Sequence, residues 1–353
     1  MLAVLAFKSG IIDQIVTNMD THASLRRGYS FYSESGGDPA KGAKAVAWFR
    51  KAAERGNSEA QRKLGEIYGA GDLVPQDKEQ AAYWYRKAAE QGSVDFKYNL
   101  ALMFSRGDHV PQDKAQAAEW LRKAAEQGYG PAQYRLGLAY HEGQGVPQDG
   151  AQAVEWYRKA AEHGVVEAVF KLGSAYYEGE GVPQDKREAA ALFLEAAELG
   201  FVEAQLKLAA MLDRGDGIEE DAVEAFFWYY RLANQEVVSA QYRVGLMSEQ
   251  GRGTYWDEQW AVHWFSKAAH GGHAEAALNL VQRFARGRGV PKDPVDAYTY
   301  LLMYMGLLPE GQEPAAEAVK LKTELERQMR PKSRAAAQEA AARFLKERPQ
   351  AGR

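Results

Sequence analysis

The chain of 353 residues contains no cysteine. This absence excludes disulfide bonds, thiolate metal ligands and a cysteine nucleophile. The sequence also lacks any stretch of about 18 or more consecutive apolar residues, so a membrane-spanning helix is not expected. The N-terminal sequence "MLAVLAFKSG" has a short apolar run with no basic region before it, unlike an export signal. We therefore expect a cytoplasmic protein, or a periplasmic one if an export signal was removed or omitted.

The sequence also lacks a large excess of charge of either sign, because it has 44 basic and 48 acidic residues and a formal net charge of −4. Nucleic-acid binders usually carry a strong positive charge, so we expect no nucleic-acid partner. His263, His270 and His273 straddle a helix end and a turn, which is a poor metal geometry. The stretch "GGDPAKGAK" (36–44) lacks the lysine of a phosphate-binding loop. We therefore expect no catalytic residue, metal or cofactor.

A repeat of 36 residues dominates the sequence. A large residue, usually tryptophan, recurs every 36 residues, and an alanine stands three positions before each one. A helix-capping aspartate recurs with the same period. The large-residue series is Trp48, Trp84, Trp120, Trp156, Leu192, Trp228, Trp264 and Tyr300. The aspartates are Asp77, Asp113, Asp149, Asp185, Asp221, Asp257 and Asp293.

Each unit is predicted to contain two helices. After Asp77, the apolar residues Ala81, Trp84, Tyr85, Ala88 and Ala89 have helical spacing, and we expect Gly92 to end the helix in the left-handed conformation. The second helix is clearest one unit later, where Ala132, Leu136 and Tyr140 share a face. Pro147 excludes the following loop from a helix.

Small residues recur in the middle of the second helix, where glycine costs about 1 kcal/mol relative to alanine. We therefore expect another backbone to approach there. Val281 breaks the pattern in the last unit. The small residues are Gly65, Ala101, Gly137, Gly173, Ala209 and Gly245.

A single helix pair cannot bury its apolar face, whereas stacked pairs can. The predicted fold is therefore all-α, a right-handed α-solenoid of stacked 36-residue helix-turn-helix repeats with a concave face and a C-terminal helical cap. We predict a degenerate N-terminal repeat or cap at 1–40, the repeat array at 41–300 and capping helices at 301–353. In the first unit Lys41 takes the aspartate position.

The consensus A-x-x-W-Y-R-K-A-A-E-Q-G, followed by A-Q-x-x-L-G-x-x-Y-x-x-G-x-G-V-P-x-D, resembles the Sel1-like repeat, a relative of the tetratricopeptide repeat. The resemblance covers roughly residues 39–300. It implies a non-enzymatic scaffold or adaptor that binds a protein or peptide in its concave groove, in bacterial signalling, envelope or secretion assemblies. It names no partner and no oligomeric state.

Two variable positions on the tryptophan helix, one before the tryptophan and two after it, form the candidate binding strip. In related solenoids the first helices line the concave side, and in the predicted unit the tryptophan helix comes first. The alternative is a solvated face with weak ion pairs. The strip candidates are Tyr83, Arg86, Glu119, Arg122, Glu155, Arg158, Phe227, Tyr230 and His263.

The aromatic sequence "FFWYY" (226–230), with Tyr255, Trp256 and Trp260 after it, is the sharpest departure from the repeat. Tyrosine and tryptophan are common interface anchors, so Trp256 joins the partner-binding candidates. Alternatively, these rings fill a looser core. A second functional hypothesis is a regulator or enzyme that uses a pocket in the irregular repeats 192–260.

Overall fold

The structure is a computed structural model that describes residues 2–36 and 38–347; for residues 2–18 it gives the helix without side chains. The described residues are helical and contain no strand, so the all-α solenoid class is confirmed. None of their helices is both long and apolar enough to cross a membrane.

Two compact units divide the chain at Pro183 and Gln184. The helices of the first unit are α1 (Leu2–Ser35), α2 (Pro39–Glu54), α3 (Ser58–Ala70), α4 (Lys78–Gln91), α5 (Val94–Arg106), α6 (Lys114–Ala125), α7 (Gly130–Glu142), α8 (Gly150–Glu162) and α9 (Val166–Glu178). Those of the second unit are α10 (Lys186–Glu198), α11 (Val202–Arg214), α12 (Ala222–Asn234), α13 (Val238–Gln250), α14 (Glu258–His270), α15 (Ala274–Arg286), α16 (Pro294–Leu307), α17 (Ala316–Gln328) and α18 (Pro331–Glu347).

Aspartate caps begin the tryptophan helices, as predicted. Each of the seven carboxylates accepts a hydrogen bond from the backbone N–H three residues later, at 2.9–3.1 Å. These bonds satisfy N–H groups that the first helical turn leaves unpaired. In the first repeat the cap of α2 is Asp38, and Lys41 lies inside the helix.

Glycine does not end every tryptophan helix in the same way. Gly128 and Gly164 have positive φ angles, as expected. Gly92, however, is extended, with φ −80°, because the chain turns directly into Ser93, whose hydroxyl caps α5. The prediction of a left-handed Gly92 was therefore wrong.

Three of the small mid-helix residues, Gly65, Gly137 and Gly245, face aromatic rings. The expected approach of another backbone is found at Gly137, where a Cβ would also lie 3.2 Å from the Ala153 carbonyl oxygen. A Cβ on Gly65 would come within 2.7 Å of the Tyr85 ring, and one on Gly245 within 2.7 Å of the Phe265 ring. Leu301 stands where these rings stand, and it shares a core cluster with Val281. The larger Val281 is therefore matched by a smaller partner.

A buried glutamine links each of several helix pairs, a feature that the repeat pattern did not reveal. The Gln133 amide donates to the carbonyl of Ala125 at 3.1 Å, and Gln205 donates to Ala197 at 2.8 Å. Gln61 and Gln241 make the same bond. The carbonyls lie in the last turns of the tryptophan helices, where each also accepts a backbone N–H, so the glutamine adds a second bond that joins the following helix to this helix end.

The C-terminal helices α17 and α18 pack against α16, and their buried residues Ala318, Leu325, Ala337 and Ala341 extend its core cluster. At the other end of the chain, α1 is a single helix of 34 residues within the segment 1–40.

Candidate functional site

The arginine row of the predicted strip makes contacts within the repeat array. Arg122 donates to the Tyr140 hydroxyl at 2.7 Å, and Arg158 to Tyr176 at 3.3 Å. Arg86 has no such partner because residue 104 is phenylalanine, and its Nε donates to the Ala82 carbonyl at 3.2 Å. Arg122 and Arg158 therefore have a structural role, since each links its tryptophan helix to the next helix.

The acidic members of the strip also have partners. Glu119 pairs with Lys123 at 2.7 Å, and Glu155 pairs with Lys159 at 2.7 Å. The lysines lie over the rings of Trp120 and Trp156, with the nitrogens 4.0 and 4.3 Å from the ring centroids. Exposed pairs of this spacing contribute only about 0.2–0.5 kcal/mol. Both glutamates remain accessible, so their role in binding stays a prediction.

Tyr83 is the aromatic member of the strip in the first unit. Its side chain is 45% exposed and meets the edge of Trp84 at a centroid distance of 5.0 Å. Trp84 itself is buried. Tyr83 thus contacts the buried Trp84 but is itself partly exposed to solvent.

The second unit holds a cluster of rings that begins on α12. Phe227 is 51% exposed and Tyr230 is 37% exposed, while Trp228 between them is buried. Tyr230 stacks on Phe226 at 6.0 Å and meets the edge of Trp264 at 5.8 Å. The α12 rings therefore reach the neighbouring helix α14 at the surface.

The cluster continues through α14 and the loop before it. Trp260 stacks on His263 at 5.2 Å and meets Trp264 at 5.7 Å. Burial and the charge of Lys267 lower the pKa of His263 below its usual value, which favours the neutral imidazole at neutral pH. Trp256 is 65% exposed, and Tyr255 beside it is 94% exposed.

We define the ring cluster as the exposed aromatic side chains of α12, of the loop between α13 and α14, and of the first two turns of α14. Because their rings lie at the surface, the alternative that they fill the core does not hold for them. The sequence already pointed to Tyr255 and Trp260, although neither was among the candidates. The ring cluster consists of Phe227, Tyr230, Tyr255, Trp256, Trp260 and His263.

The Sel1 repeat family model matches eight consecutive segments of this helical array. These segments are 22–57, 58–93, 95–129, 130–165, 166–201, 202–237, 238–273 and 274–303. The chain belongs to the Sel1 repeat family. The matched residues begin at 22, inside the segment 1–40 for which the sequence predicts a degenerate N-terminal repeat or cap.

Solved Sel1 structures resemble this chain. A Sel1 repeat protein from Oxalobacter formigenes is 30% identical, with 91% of this chain and 92% of that chain covered and a TM-score of 0.68. The protective antigen c5321 of uropathogenic Escherichia coli, which displays an SLR fold, is 28% identical over 94% of this chain and 80% of that chain, with a TM-score of 0.49. No curated protein matches this chain.

The Sel1 repeat boundaries change the interpretation of the candidate strip. Each matched segment begins with the helix before the tryptophan helix, so the tryptophan helix is the second of its repeat. The two helices of one matched segment, such as α3 and α4, also pack most closely. The argument that placed the strip on the concave side assumed the opposite order, and it does not apply.

Shallow clefts lie in the first unit of this Sel1 protein, lined by residues between 79 and 180. A cleft of about 150 Å³ is lined by Leu121, Arg135 and Glu142, among others. The described part of the chain contains no group of three metal-ligating side chains. The hypothesis of a regulator or enzyme required a pocket within 192–260, and these clefts lie elsewhere.

Proposed function

We propose that this Sel1 repeat protein is a non-enzymatic scaffold or adaptor that binds a protein or peptide partner through the ring cluster of its second unit. Sel1 repeat proteins are generally interaction scaffolds, and the observation that supports the specific site is the exposure of Phe227 and Trp256. Aromatic side chains offer large contact area at low cost in conformational entropy, so they are favoured interface anchors.

The proposal includes a bacterial signalling, envelope or secretion assembly as its setting. It places the protein in the cytoplasm, with the periplasm as the alternative. Fractionation of the native host, with the protein detected in each compartment, tests the location. A membrane-bound or secreted pool would contradict both alternatives.

The experiment for the site is affinity purification of the full chain from the native host, with bound proteins identified by mass spectrometry. Phe227→Ala and Tyr230→Ala should each reduce recovery of the partner at least several-fold while the helical circular dichroism signal stays unchanged. Tyr83→Ala is the matched control, because Tyr83 occupies the repeat position of Phe227 and is similarly exposed.

Equal recovery with all three variants would remove the ring cluster from the interface. Loss with Tyr83→Ala alone would move the interface to the first unit. The candidates Arg86, Arg122, Arg158, Glu119 and Glu155 are then tested as alanine variants in the same assay.

A further inference from the structure

Two consecutive repeats have replaced the loop sequence VPQD, which precedes α4, α6, α8 and α10. The loop before α12 reads IEED (218–221), and the loop before α14 reads TYWD (254–257). In the unchanged loops the glutamine holds the loop to the preceding helix, as where the Gln148 amide donates to the His141 carbonyl at 2.8 Å. Trp256 stands at this glutamine position, has no amide to donate and is mostly exposed.

Trp256 therefore neither fixes the loop nor fills the core. A local departure from the repeat's structural pattern that brings no packing gain is expected at functional sites. The same reasoning applies to Glu219, which replaces the loop proline and is exposed.

The acidic and the aromatic loop lie side by side in the second unit. Arg252, at the start of the aromatic loop, bonds Glu220 of the acidic loop at 2.7 Å and Asp213 at 3.1 Å. Glu219 and Glu224 are exposed and form no ion pair within the described residues. Arg252 thus joins the loop that carries the unpaired Glu219 to the loop that carries Tyr255 and Trp256.

Most tryptophans of the repeats have a cationic side chain over the indole ring. The repeat tryptophans Trp120, Trp156, Trp228 and Trp264 each have a lysine or arginine three residues later, whose charge lies 4.0–5.2 Å from the ring centroid. Trp256 has Gln259 at that spacing, and Trp260 has His263, which stacks on it. Trp256 and Trp260 therefore lack the cation that these four repeat tryptophans carry.

The charge of this region is one-sided. Residues 213–260 contain ten acidic residues, four arginines and no lysine, a formal net charge of −6, whereas the whole chain carries −4. One of these arginines, Arg252, is already bound by carboxylates, and another, Arg231, lies over the rings of Phe227 and Trp228. An approaching ligand therefore meets exposed indole rings without a cation and unpaired negative charge, and both attract cations.

We infer that the partner presents a basic peptide segment, with lysine or arginine side chains that lie on Trp256 and Trp260 and pair with Glu219 and Glu224. This inference rests on the proposed function and specifies the chemistry of the partner at the same site. Each cation–π contact would contribute to specificity, and the carboxylates would accelerate association at low salt.

The test measures binding of the full chain to three fluorescein-labelled 14-residue peptides by fluorescence anisotropy at 50 and 200 mM salt. The peptides share glycine, serine and leucine residues and differ in carrying five arginines, five glutamines or five glutamates. We expect the arginine peptide to bind at least ten-fold more tightly than the glutamine peptide, with a preference that weakens at the higher salt. The glutamate peptide should bind most weakly.

Two double variants locate the binding. Trp256→Gln with Trp260→Gln restores the residues found at 148 and 152, and Glu219→Gln with Glu224→Gln removes two unpaired charges. Each should weaken binding of the arginine peptide at least five-fold. Glu162→Gln with Glu188→Gln is the charge-matched control, since both are exposed and Glu188 occupies the repeat position of Glu224.

The inference fails if the arginine and glutamine peptides bind alike, or if the control variant weakens binding as much as the Glu219/Glu224 variant. If the arginine and glutamine peptides bind alike but the Trp256→Gln, Trp260→Gln double variant still recovers less of the native partner, the proposed function stands. The ligand would then be an apolar segment. If neither double variant reduces recovery of the native partner, the proposed site fails as well.

Discussion

The ring of Tyr157 on α8 lies against Gly137 on α7, so closely that a Cβ on residue 137 would come within 2.6 Å of the ring carbons. Helix propensity alone would favour alanine at this position by about 1 kcal/mol. The packing of the two helices of one repeat therefore explains the glycine. Substitutions at residues 137 and 157 test this explanation.

Gly137→Ala should lower the free energy of unfolding by about 1–2 kcal/mol, because overpacking costs about 1–3 kcal/mol and the better helix propensity offsets part of it. Urea unfolding followed by circular dichroism measures the change. The matched background is Tyr157→Leu, since Ala101 and Leu121 stand at the equivalent positions one repeat earlier and both are buried. In that background Gly137→Ala should be neutral or stabilising. An equal loss in both backgrounds would show that the ring contact is not the cause.

Tyr140→Phe should remove the hydrogen bond from Arg122. The variant then has arginine and phenylalanine at 122 and 140, the same residues that stand at the equivalent positions 86 and 104, where this bond is absent. Because this bond is solvent-exposed, the free energy of unfolding should fall by less than about 1 kcal/mol. The urea midpoint measures it, and partner recovery is measured in parallel. A loss of partner without a shift in the midpoint would give the arginine row a binding role in addition to its structural one.

Gln133→Ala should lower the free energy of unfolding by about 0.5–1.5 kcal/mol, because it removes a buried hydrogen bond to the Ala125 carbonyl, which keeps its bond from the Gly128 N–H. Gln112→Ala removes a bond of the same type, from an amide to the Ser105 carbonyl at 3.0 Å, but at an exposed site. Water can replace that bond, so the control should change stability by only a few tenths of a kcal/mol. Similar losses in both variants would contradict the importance of burial.

His273 should make the second unit less stable in mild acid. Its Nδ1 accepts a hydrogen bond from the backbone N–H of Ala276 at the start of α15, and the ring stacks on Tyr242 at 4.2 Å. Burial and the charge of Arg243 lower its pKa below the usual value, although Glu275 acts in the opposite direction. The neutral ring is thus favoured in the folded state. Its stabilising contribution is full above the unfolded pKa of about 6.5 and is lost as the pH falls through the folded pKa.

Thermal unfolding between pH 7.5 and 5 checks this dependence. His273→Asn keeps a capping side chain, as Asn57 does at the same repeat position, and it should flatten the decline in melting temperature over that range. A variant that declines as steeply as the parent protein would assign the acid sensitivity to other groups.

Much of the fold could be predicted because the relevant signals are local. The spacing of Ala81, Trp84 and Tyr85 follows the helical period, and Asp77 caps the helix through an N–H only three residues away. The ring cluster was partly predictable for the same reason, since TYWD replaces VPQD in an otherwise regular series. The buried bond of Gln133 was missed because the period does not show which carbonyl its amide faces.

By itself, the sequence determined the family, the helices and their caps, since repeated local patterns specify repeated local structure. Only the tertiary structure decided that Gly137 faces a ring, that Arg122 is bound to Tyr140, and that Trp256 lies at the surface while Trp228 does not. The physical reason is that burial and side-chain partners depend on how neighbouring helices pack, and residues of one type in one repeat series meet different neighbours in different repeats.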